Sequence, residues 1–271
     1  FHLVADAWNI AEKYQIPVML LTDKYVAECL FCLKAYDTSK TVIDRGNLIT
    51  NPEELAALKA EDRYRITEDG ISPRWIPGAH AAGYDANSDE HTPDGTVTED
   101  SAPVKNMFAK RMRKMETLSK ALPEPELFTR GESGIGNQEL GQEGELDILL
   151  IGWGSTKNTV LDVMEDLGKE GKEGNERHEG KIGYLHFTYL WPLKTERFKA
   201  LHAKAKRTIL IEGNYQGQLG VFLREKTGIE INEKLLKYDG RPFFLEELRD
   251  LIVKGTSVPS VPSAPSVTSS S

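Results

Sequence analysis

The glycine-rich loop 152-GWGSTK-157 and the stretch 134-GIGNQELG-141 come nearest to a phosphate-binding spacing. The first lies between a predicted strand and a predicted helix, where backbone N–H groups can cradle a phosphate. It lacks the second glycine of a P-loop, and Ser155 or Thr156 acting as a helix N-cap explains the same residues. The second stretch has a misplaced third glycine and no preceding strand, so it fails the dinucleotide-binding fingerprint. A nucleotide-binding protein therefore remains an alternative that rests on 152–157 alone.

Metal-binding patterns are incomplete. Cys29 and Cys32 form a lone C-x-x-C without a second pair or a nearby histidine, which is too few ligands for a zinc or iron–sulfur site. The pair is interpreted as two small buried hydrophobic residues on a helix, with a redox dithiol as the alternative. The segment 85-DANSDEHTPDGT-96 alternates oxygen ligands like a calcium loop, but it has glutamate where that loop needs glycine and threonine where it needs glutamate. We predict no metal site on this chain.

Asp23 and Lys24 follow 18-VMLLT-22, an apolar run typical of a strand buried on both faces of a parallel sheet. Ligands collect at the carboxyl ends of such strands, so both residues are candidates for lining a substrate or cofactor site. The alternative is that Asp23 caps the next helix and that Lys24 is solvated.

Two stretches in the second half of the sequence combine polar residues with turn-forming glycines. The segment 212-EGNYQGQLG-220 follows a predicted strand, and 237-KYDGRPF-243 reads as a turn. Each is interpreted as a subunit contact, a binding site or ordinary turn structure. The candidate interface residues are Glu212, Asn214, Gln218, Asp239 and Arg241.

The elements that position these residues change character along the chain. Residues 1–14 and 102–122 have helical periodicity, and 51–62 reads as a short helix capped by Asn51. Because Phe1 is not a methionine and the helical pattern begins at once, we expect a fragment of a longer protein. Beyond a linker at 123–145, strands and helices alternate as in an α/β domain with a mostly parallel sheet. The predicted strands are 146–153, 181–187 and 207–212. A predicted helix follows the first strand and ends at Leu167, and further helices are predicted at 195–205, 216–227 and 244–253. The tail 255–271 is predicted to be disordered.

Composition narrows the function classes. The chain of 271 residues has a formal net charge of -8 and a pI near 5.4, so no overall basic field favours nucleic acid or an anionic membrane surface. No apolar run reaches the length of a membrane span, and no signal peptide opens the sequence. These features predict a cytoplasmic protein.

Eight collinear segments resemble the alpha subunit of 2-oxoacid:ferredoxin oxidoreductases, and the 2-oxoglutarate enzymes are most similar. The resemblance runs from residue 1 to about residue 253. Its segments are 16-IPVMLLTDKY-25, 67-TEDGISPRWIPG-78, 89-DEHTPDG-95, 108-FAKRMRKMETL-118, 151-IGWGSTK-157, 190-LWPL-193, 212-EGNYQGQL-219 and 238-YDGRPF-243.

The resemblance implies a subunit that shares thiamine diphosphate and Mg²⁺ with a beta subunit, in a complex carrying iron–sulfur clusters. Such enzymes decarboxylate a 2-oxoacid, pass electrons to ferredoxin and deliver the acyl group to coenzyme A. It implies that residues 1–122 are the later half of a pyrimidine-binding domain and that 146–254 resemble the C-terminal domain of transketolase. The glutamate that activates thiamine in this family lies upstream of these residues, so we expect the chain to be inactive alone.

The resemblance also implies that 66-ITEDGISPRWIPG-78 is an ordered loop rather than a spacer. Arg74 is its one residue able to hold a carboxylate or phosphate with two parallel hydrogen bonds. We therefore assign Asp69 and Arg74 to the lining of a substrate or coenzyme entrance. The alternative is that Arg74 pairs with Glu68 or Asp69 and only fixes the loop. At the level of the whole chain, the alternative to an enzyme subunit is a non-catalytic assembly module of the same complex.

Overall fold

The computed structural model describes residues 1–30, 32, 35–79, 83–131, 134–139, 141, 144–168 and 180–254. These residues form two compact units. The first comprises Phe1–Leu21 and Leu30–Pro123, and the second comprises Thr22–Cys29 and the chain from Glu124 onward. The predicted tail at 255–271 and most of the loop predicted at 168–180 lie outside the described residues.

The first unit is built from helices and long loops. Its helices are α1 (His2–Tyr14), α3 (Pro52–Ala57) and α4 (Ser101–Ala121), with 3₁₀ turns at Thr38–Lys40 and Ala60–Asp62. Asn51 caps α3 as predicted, because its side chain accepts hydrogen bonds from the N–H groups of Glu53 and Glu54. The unit has a small core, to which Tyr14, Trp75, Met107, Leu118 and Leu122 contribute buried side chains.

The prediction of a strand at 18–22 is wrong. These residues form no regular element, and the side chains of Met19 and Leu21 are 86% and 63% exposed. A strand needs a neighbour for its N–H and C=O groups, and no strand among the described residues pairs with this segment. The apolar run alone could not reveal that missing partner.

The second unit is an α/β domain with a mixed six-stranded sheet. Its strands lie in the order β2-β1-β4-β3-β5-β6, with β3, β4, β5 and β6 parallel and β1 antiparallel to both of its neighbours. The strands are β1 (Glu126–Gly131), β2 (Gly134–Gln138), β3 (Leu146–Trp153), β4 (Ile182–Phe187), β5 (Ala205–Glu212) and β6 (Glu233–Leu236). The helices are α2 (Lys24–Glu28), α5 (Thr156–Leu167), α6 (Glu196–Lys204), α7 (Gln218–Thr227) and α8 (Leu245–Lys254).

The linker predicted at 123–145 is also wrong, because this segment supplies β1 and β2. Leu127 and Thr129 are buried on alternate positions of β1, whose backbone pairs with β4. Glycines and acidic residues made the segment look like a connection. Two of the glycines, Gly134 and Gly136, lie on β2, an edge strand with one paired side, where little burial is required.

Helices cover both faces of the sheet. Ile148 and Leu150 of β3 belong to the core under α5 and α8, whereas Leu149 and Ile151 belong to the core under α6 and α7. This double burial explains why β3 reads as an unbroken apolar run. The chain passes from β3 to β4 on one side and then crosses to β5 on the other side of β3. The strand order therefore reverses between β3 and β5, where α/β proteins form a ligand crevice.

Candidate functional site

The loop 66–78 is packed in the first unit. Gly70 has φ +79°, and a Cβ at this position would lie 2.5 Å from the backbone nitrogen of Lys114 on α4. Asp69 accepts a hydrogen bond from the N–H of Ile71 at 2.9 Å, so its carboxylate shapes the turn. The hydroxyl of Ser72, which is buried, donates to the carbonyl of Arg65 at 2.9 Å. The loop is therefore an ordered element held against α4.

The side chain of Arg74 extends from this loop and pairs with Glu12 of α1. The alternative prediction, that Arg74 pairs with Glu68 or Asp69, is therefore wrong. Its side chain is only 16% exposed, and its guanidinium also donates to the carbonyl of Arg45 at 3.1 Å. Arg45 donates to Glu12 as well, at 2.8 Å. Hydrogen bonds from Arg45, and after it from Arg74, lower the pKa of the Glu12 carboxyl, partly opposed by burial.

Arg74 lines an open cleft of about 340 Å³ beside the end of α1. Gln15 follows that helix in the left-handed region, with φ 51°. Its side-chain N–H₂ donates to the carbonyl of Ser72 at 2.6 Å, and its side-chain oxygen accepts from Arg63 at 2.9 Å. The residues that line the cleft are Ala11, Glu12, Gln15, Ile16, Pro17, Arg63 and Arg74.

Sequence reasoning missed Gln15 and Arg63. The guanidinium of Arg63 lies over the rings of Tyr64 and Tyr84, at 4.7 and 5.3 Å from their centroids. Gln15 and Arg63 are 48 positions apart in the sequence, and neither belongs to a recognisable motif. Only the folded chain brings them to the cleft.

Asp23 and Lys24 belong to the second unit. Their geometry matches the alternative interpretation, in which Asp23 caps the next helix and Lys24 is solvated. Asp23 is the N-cap of α2 and accepts a hydrogen bond from the N–H of Val26 at 2.8 Å. The hydroxyl of Ser155 also donates to Asp23. Lys24 has a side chain that is 80% exposed, and its ammonium lies 3.8 Å from Glu28.

The crevice between β3 and β5 contains Glu212, whose side chain is fully buried. Its carboxylate accepts from the indole N–H of Trp153 at 2.9 Å, from the Asn214 amide at 2.6 Å and from the N–H of Gly220 at 3.2 Å. Asn214 in turn accepts from the N–H groups of Gly217 and Gln218 at the start of α7. These residues build the turn after β5 and engage both oxygens of the buried Glu212.

In the loop 152–157, the side-chain hydroxyl groups are likewise hydrogen-bonded within the protein. Ser155 is the N-cap residue of α5 but makes no side-chain capping bond, since its hydroxyl donates to Asp23. The Thr156 hydroxyl donates to the carbonyl of Trp153 at 2.9 Å. Both hydroxyls that would serve a bound phosphate are therefore engaged within the protein.

Asp239 and Arg241 pair within one turn. The backbone N–H and Nε of Arg241 each donate to Asp239 at 3.0 Å, and the Lys237 ammonium lies 3.6 Å from the same carboxylate. Beside this turn, Tyr215 and Tyr238 meet edge to face with ring centroids 4.9 Å apart. Both tyrosines are about half exposed, at 55% and 52%, which makes the pair an apolar surface feature.

The cysteines are free thiols, and they are not a buried pair on a helix. Cys29 lies just past α2 and is partly buried, whereas Cys32 is exposed. Within the described residues, no group of three His, Cys, Asp or Glu side chains is arranged to hold a metal ion. None of the helices in the described part of the chain is long and apolar enough to cross a membrane.

The described residues do not fit the thiamine-activating role that the resemblance assigns to a glutamate. Such a carboxylate must be buried and free to hold the aminopyrimidine of the cofactor. Glu212 is the only buried carboxylate among the described residues, and both of its oxygens already accept hydrogen bonds within the protein.

Comparison with known proteins confirms the resemblance seen in the sequence. The chain is 32% identical to a 2-oxoacid:ferredoxin oxidoreductase subunit alpha of Saccharolobus solfataricus, across 92% of this chain and 36% of that protein. It is 30% identical to 2-oxoacid:ferredoxin oxidoreductase 2, subunit alpha, of Aeropyrum pernix, across 92% of this chain and 35% of that protein. No protein-family model matches.

A solved structure supports the same relationship. The 2-oxoglutarate:ferredoxin oxidoreductase of Magnetococcus marinus, solved with 2-oxoglutarate, coenzyme A and succinyl-CoA bound, superposes with a TM-score of 0.75 at 28% identity. The match covers 93% of this chain and 40% of that one. The α/β protein is therefore homologous to the 2-oxoacid:ferredoxin oxidoreductases. The curated relatives that it matches are alpha subunits, and it spans about a third of their length.

Proposed function

We propose that this chain is part of the alpha subunit of a 2-oxoacid:ferredoxin oxidoreductase of the cytoplasm, with 2-oxoglutarate as its substrate. The single observation that carries the proposal is collinear similarity across 92% of the chain, through both compact units. The substrate assignment draws on the Magnetococcus marinus enzyme, whose bound molecules include 2-oxoglutarate and succinyl-CoA.

In the proposed reaction, a 2-oxoacid loses carbon dioxide and its acyl group forms a thioester with the thiol of coenzyme A. Two electrons leave the substrate and reduce two molecules of a one-electron ferredoxin. Thiamine diphosphate with Mg²⁺, shared with a beta subunit, would supply the carbanion-stabilising chemistry, and iron–sulfur clusters of the complex would carry the electrons. Because Glu212, the one carboxylate residue that is buried as a whole among the described residues, is already engaged within the protein, we assign the activating group to another part of the enzyme.

Within this scheme the two units have different tasks. We assign residues 1–122 to the later half of a pyrimidine-binding domain and the second unit to a domain like the C-terminal domain of transketolase. The cleft at Arg74 is the candidate entrance for substrate or coenzyme. Asp69 shapes the turn of the loop that carries Arg74, and its side chain is not in the cleft lining. Asp23 and Lys24 belong to the second unit, where Asp23 caps α2 and Lys24 is exposed, so we do not assign them to this cleft.

The surface around Tyr215 and Tyr238 is our candidate contact for the beta subunit. Half-exposed tyrosines with polar neighbours are typical of the centre of protein interfaces. Asp239 and Arg241 border this pair, whereas Glu212, Asn214 and Gln218 support the turn that carries Tyr215. A partner that buried both rings would gain apolar area without ordering any additional loop of this chain.

A non-catalytic assembly module is the second candidate. It is favoured by one observation, that the side chains of Asp23, Asp69, Glu212 and Asn214 are all engaged in local structure. Under this alternative the chain would hold the beta subunit and would not contribute to turnover.

Affinity isolation of this chain, tagged at its carboxyl end, from its source cells tests both candidates. We expect a beta subunit to be retained, and we expect Tyr238→Ser to reduce retention several-fold. Met112→Ser, which alters an equally exposed apolar residue of α4, should have no effect. The isolated complex is then supplied with 2-oxoglutarate, pyruvate or another 2-oxoacid. Turnover with 2-oxoglutarate supports the enzyme, retention without any turnover supports the module, and absence of a beta subunit contradicts both.

A further inference from the structure

The first unit concentrates cations that have no acidic partner. Among the described residues, none of Arg63, Lys110, Arg113 and Lys114 pairs with a carboxylate. Their hydrogen bonds go to neutral oxygens instead. Lys110 donates to the carbonyl of Tyr64 at 2.8 Å, Lys114 to the carbonyl of Gln15 at 3.1 Å and Arg113 to the carbonyl of Thr67 at 3.2 Å.

This grouping raises the positive potential beside the cleft. Burial, followed by the charges of Lys114, Arg63 and other neighbours, lowers the pKa of Lys110 to about 8. Burial, followed by Arg111 and Arg63, also lowers the pKa of Lys114. Each of these cations disfavours the charged form of its neighbours. Together they create a positive potential, which attracts a mobile anion to the same region.

Glu12 is the one acidic residue of the cleft lining, and it does not cancel this field. Its carboxylate is shared by Arg45 and Arg74, so these three residues together carry a net positive charge. Arg63 adds a further positive charge on the same lining. An anion entering the cleft therefore meets more cations than carboxylates.

Two donors in the cleft lining lack acceptors. The Nε atoms of Arg63 and Arg74 are buried and have no hydrogen-bond partner within the described part of the protein. Buried donors are nearly always satisfied by protein, water or a ligand, so two unsatisfied guanidinium donors around one cleft indicate a missing acceptor. Arg63 is also held in place by Gln15 and by the rings of Tyr64 and Tyr84, so little side-chain freedom would be lost when it binds an anion.

We propose that the cleft formed by Gln15, Arg63 and Arg74 binds an oxyanion, a carboxylate or a phosphate, with Arg63 as the principal ligand. Planar guanidinium groups match both anions by paired hydrogen bonds. The volume of about 340 Å³ suits a small dicarboxylate or the phosphate portion of a larger coenzyme, rather than a whole coenzyme. The inference does not depend on the proposed oxidoreductase activity, because binding is a property of this chain alone.

Isothermal titration of the full chain at low ionic strength tests the proposal with three probes: inorganic phosphate, 2-oxoglutarate and coenzyme A. We expect Arg63→Gln to weaken binding about tenfold or more, because a charge-assisted pair of hydrogen bonds is lost. Arg65→Gln is the matched control, because Arg65 lies two positions away, is exposed and pairs with Asp62. This control should bind like the wild type.

The three probes distinguish the source of the oxyanion. Binding of 2-oxoglutarate alone identifies a carboxylate site, whereas binding of phosphate and coenzyme A identifies a phosphate site. Should Arg63→Gln fail to fold, as judged by circular dichroism, Gln15→Asn provides the test. Its shorter amide tolerates the left-handed backbone but no longer reaches Arg63, so several-fold weaker binding is expected. Equal affinities in the wild type and the folded variant, or no binding of any probe, would overturn the proposal.

Discussion

His186 is a buried imidazole on β4 whose properties follow from its surroundings. The hydroxyl of Tyr184 and Nδ1 of His186 are 2.9 Å apart, and both side chains are buried. Burial, with a smaller effect of the Lys157 ammonium, lowers the pKa of His186 to about 3. Burial likewise raises the pKa of Tyr184. The pair is therefore neutral across the physiological range.

This depressed pKa makes the stability of the protein depend on pH. The unfolded chain binds a proton at His186 near its ordinary pKa of about 6.5, whereas the folded chain does so only near 3. Protons therefore favour the unfolded state as the pH falls from about 6.5 towards 3, by at most about 1.4 kcal/mol per pH unit. We expect the free energy of unfolding in urea to be lower at about pH 5 than at about pH 7.

His186→Gln should reduce that difference, because the variant has no group to protonate there. His202→Gln, which removes an imidazole that bonds to Thr208, is the control and should keep the full difference. A wild type that is equally stable at both pH values would show that His186 titrates normally.

At the scale of elements, the loop 66–78 depends on the close approach of Gly70 to α4. A Cβ on Gly70 would lie 2.5 Å from the nitrogen of Lys114 and 2.6 Å from the carbonyl oxygen of Lys110, and backbone atoms cannot move aside. Gly70→Ala should therefore lower the free energy of unfolding by the left-handed penalty of about 1–2 kcal/mol and by the clash in addition.

Gly78 is the matched control for this prediction. Its φ is +85°, close to that of Gly70, but a Cβ there would meet nothing within 4 Å. Gly78→Ala should show the backbone penalty alone. Chemical denaturation compares the two variants, and equal destabilisation would mean that the loop is not packed against α4.

The same elements show what can be predicted from the sequence. β3 was predicted because a strand buried on both faces must be apolar throughout, and the capped helix at Pro52 was predicted because its cap is local. The sequence of β1 and β2 reads as a linker, because backbone pairing rather than apolar content defines the edge strand β2 and its neighbour β1. At 18–22 the sequence predicts a strand that the structure does not contain, because an apolar run cannot show whether a partner strand exists. The contact of Arg63 with Gln15 depends on the tertiary fold and leaves no local signal.

At the scale of the whole molecule, the two proposals ask different things of the chain. The oxyanion cleft requires only the first unit, whereas the oxidoreductase reaction requires subunits, cofactors and an activating carboxylate from outside the described residues. The similarity to alpha subunits extends through both units, which favours one enzyme over two unrelated modules. Because their requirements differ, an experiment that contradicts one proposal does not contradict the other.

The most direct test of the central claim is ferredoxin reduction by the complex isolated from its source cells through this chain. With 2-oxoglutarate and coenzyme A present, we predict two molecules of a one-electron ferredoxin reduced for each acyl-CoA formed, and no reduction when either compound is omitted. The same complex with intact cofactors and no 2-oxoacid-dependent reduction would contradict the assignment of this chain to a 2-oxoacid:ferredoxin oxidoreductase.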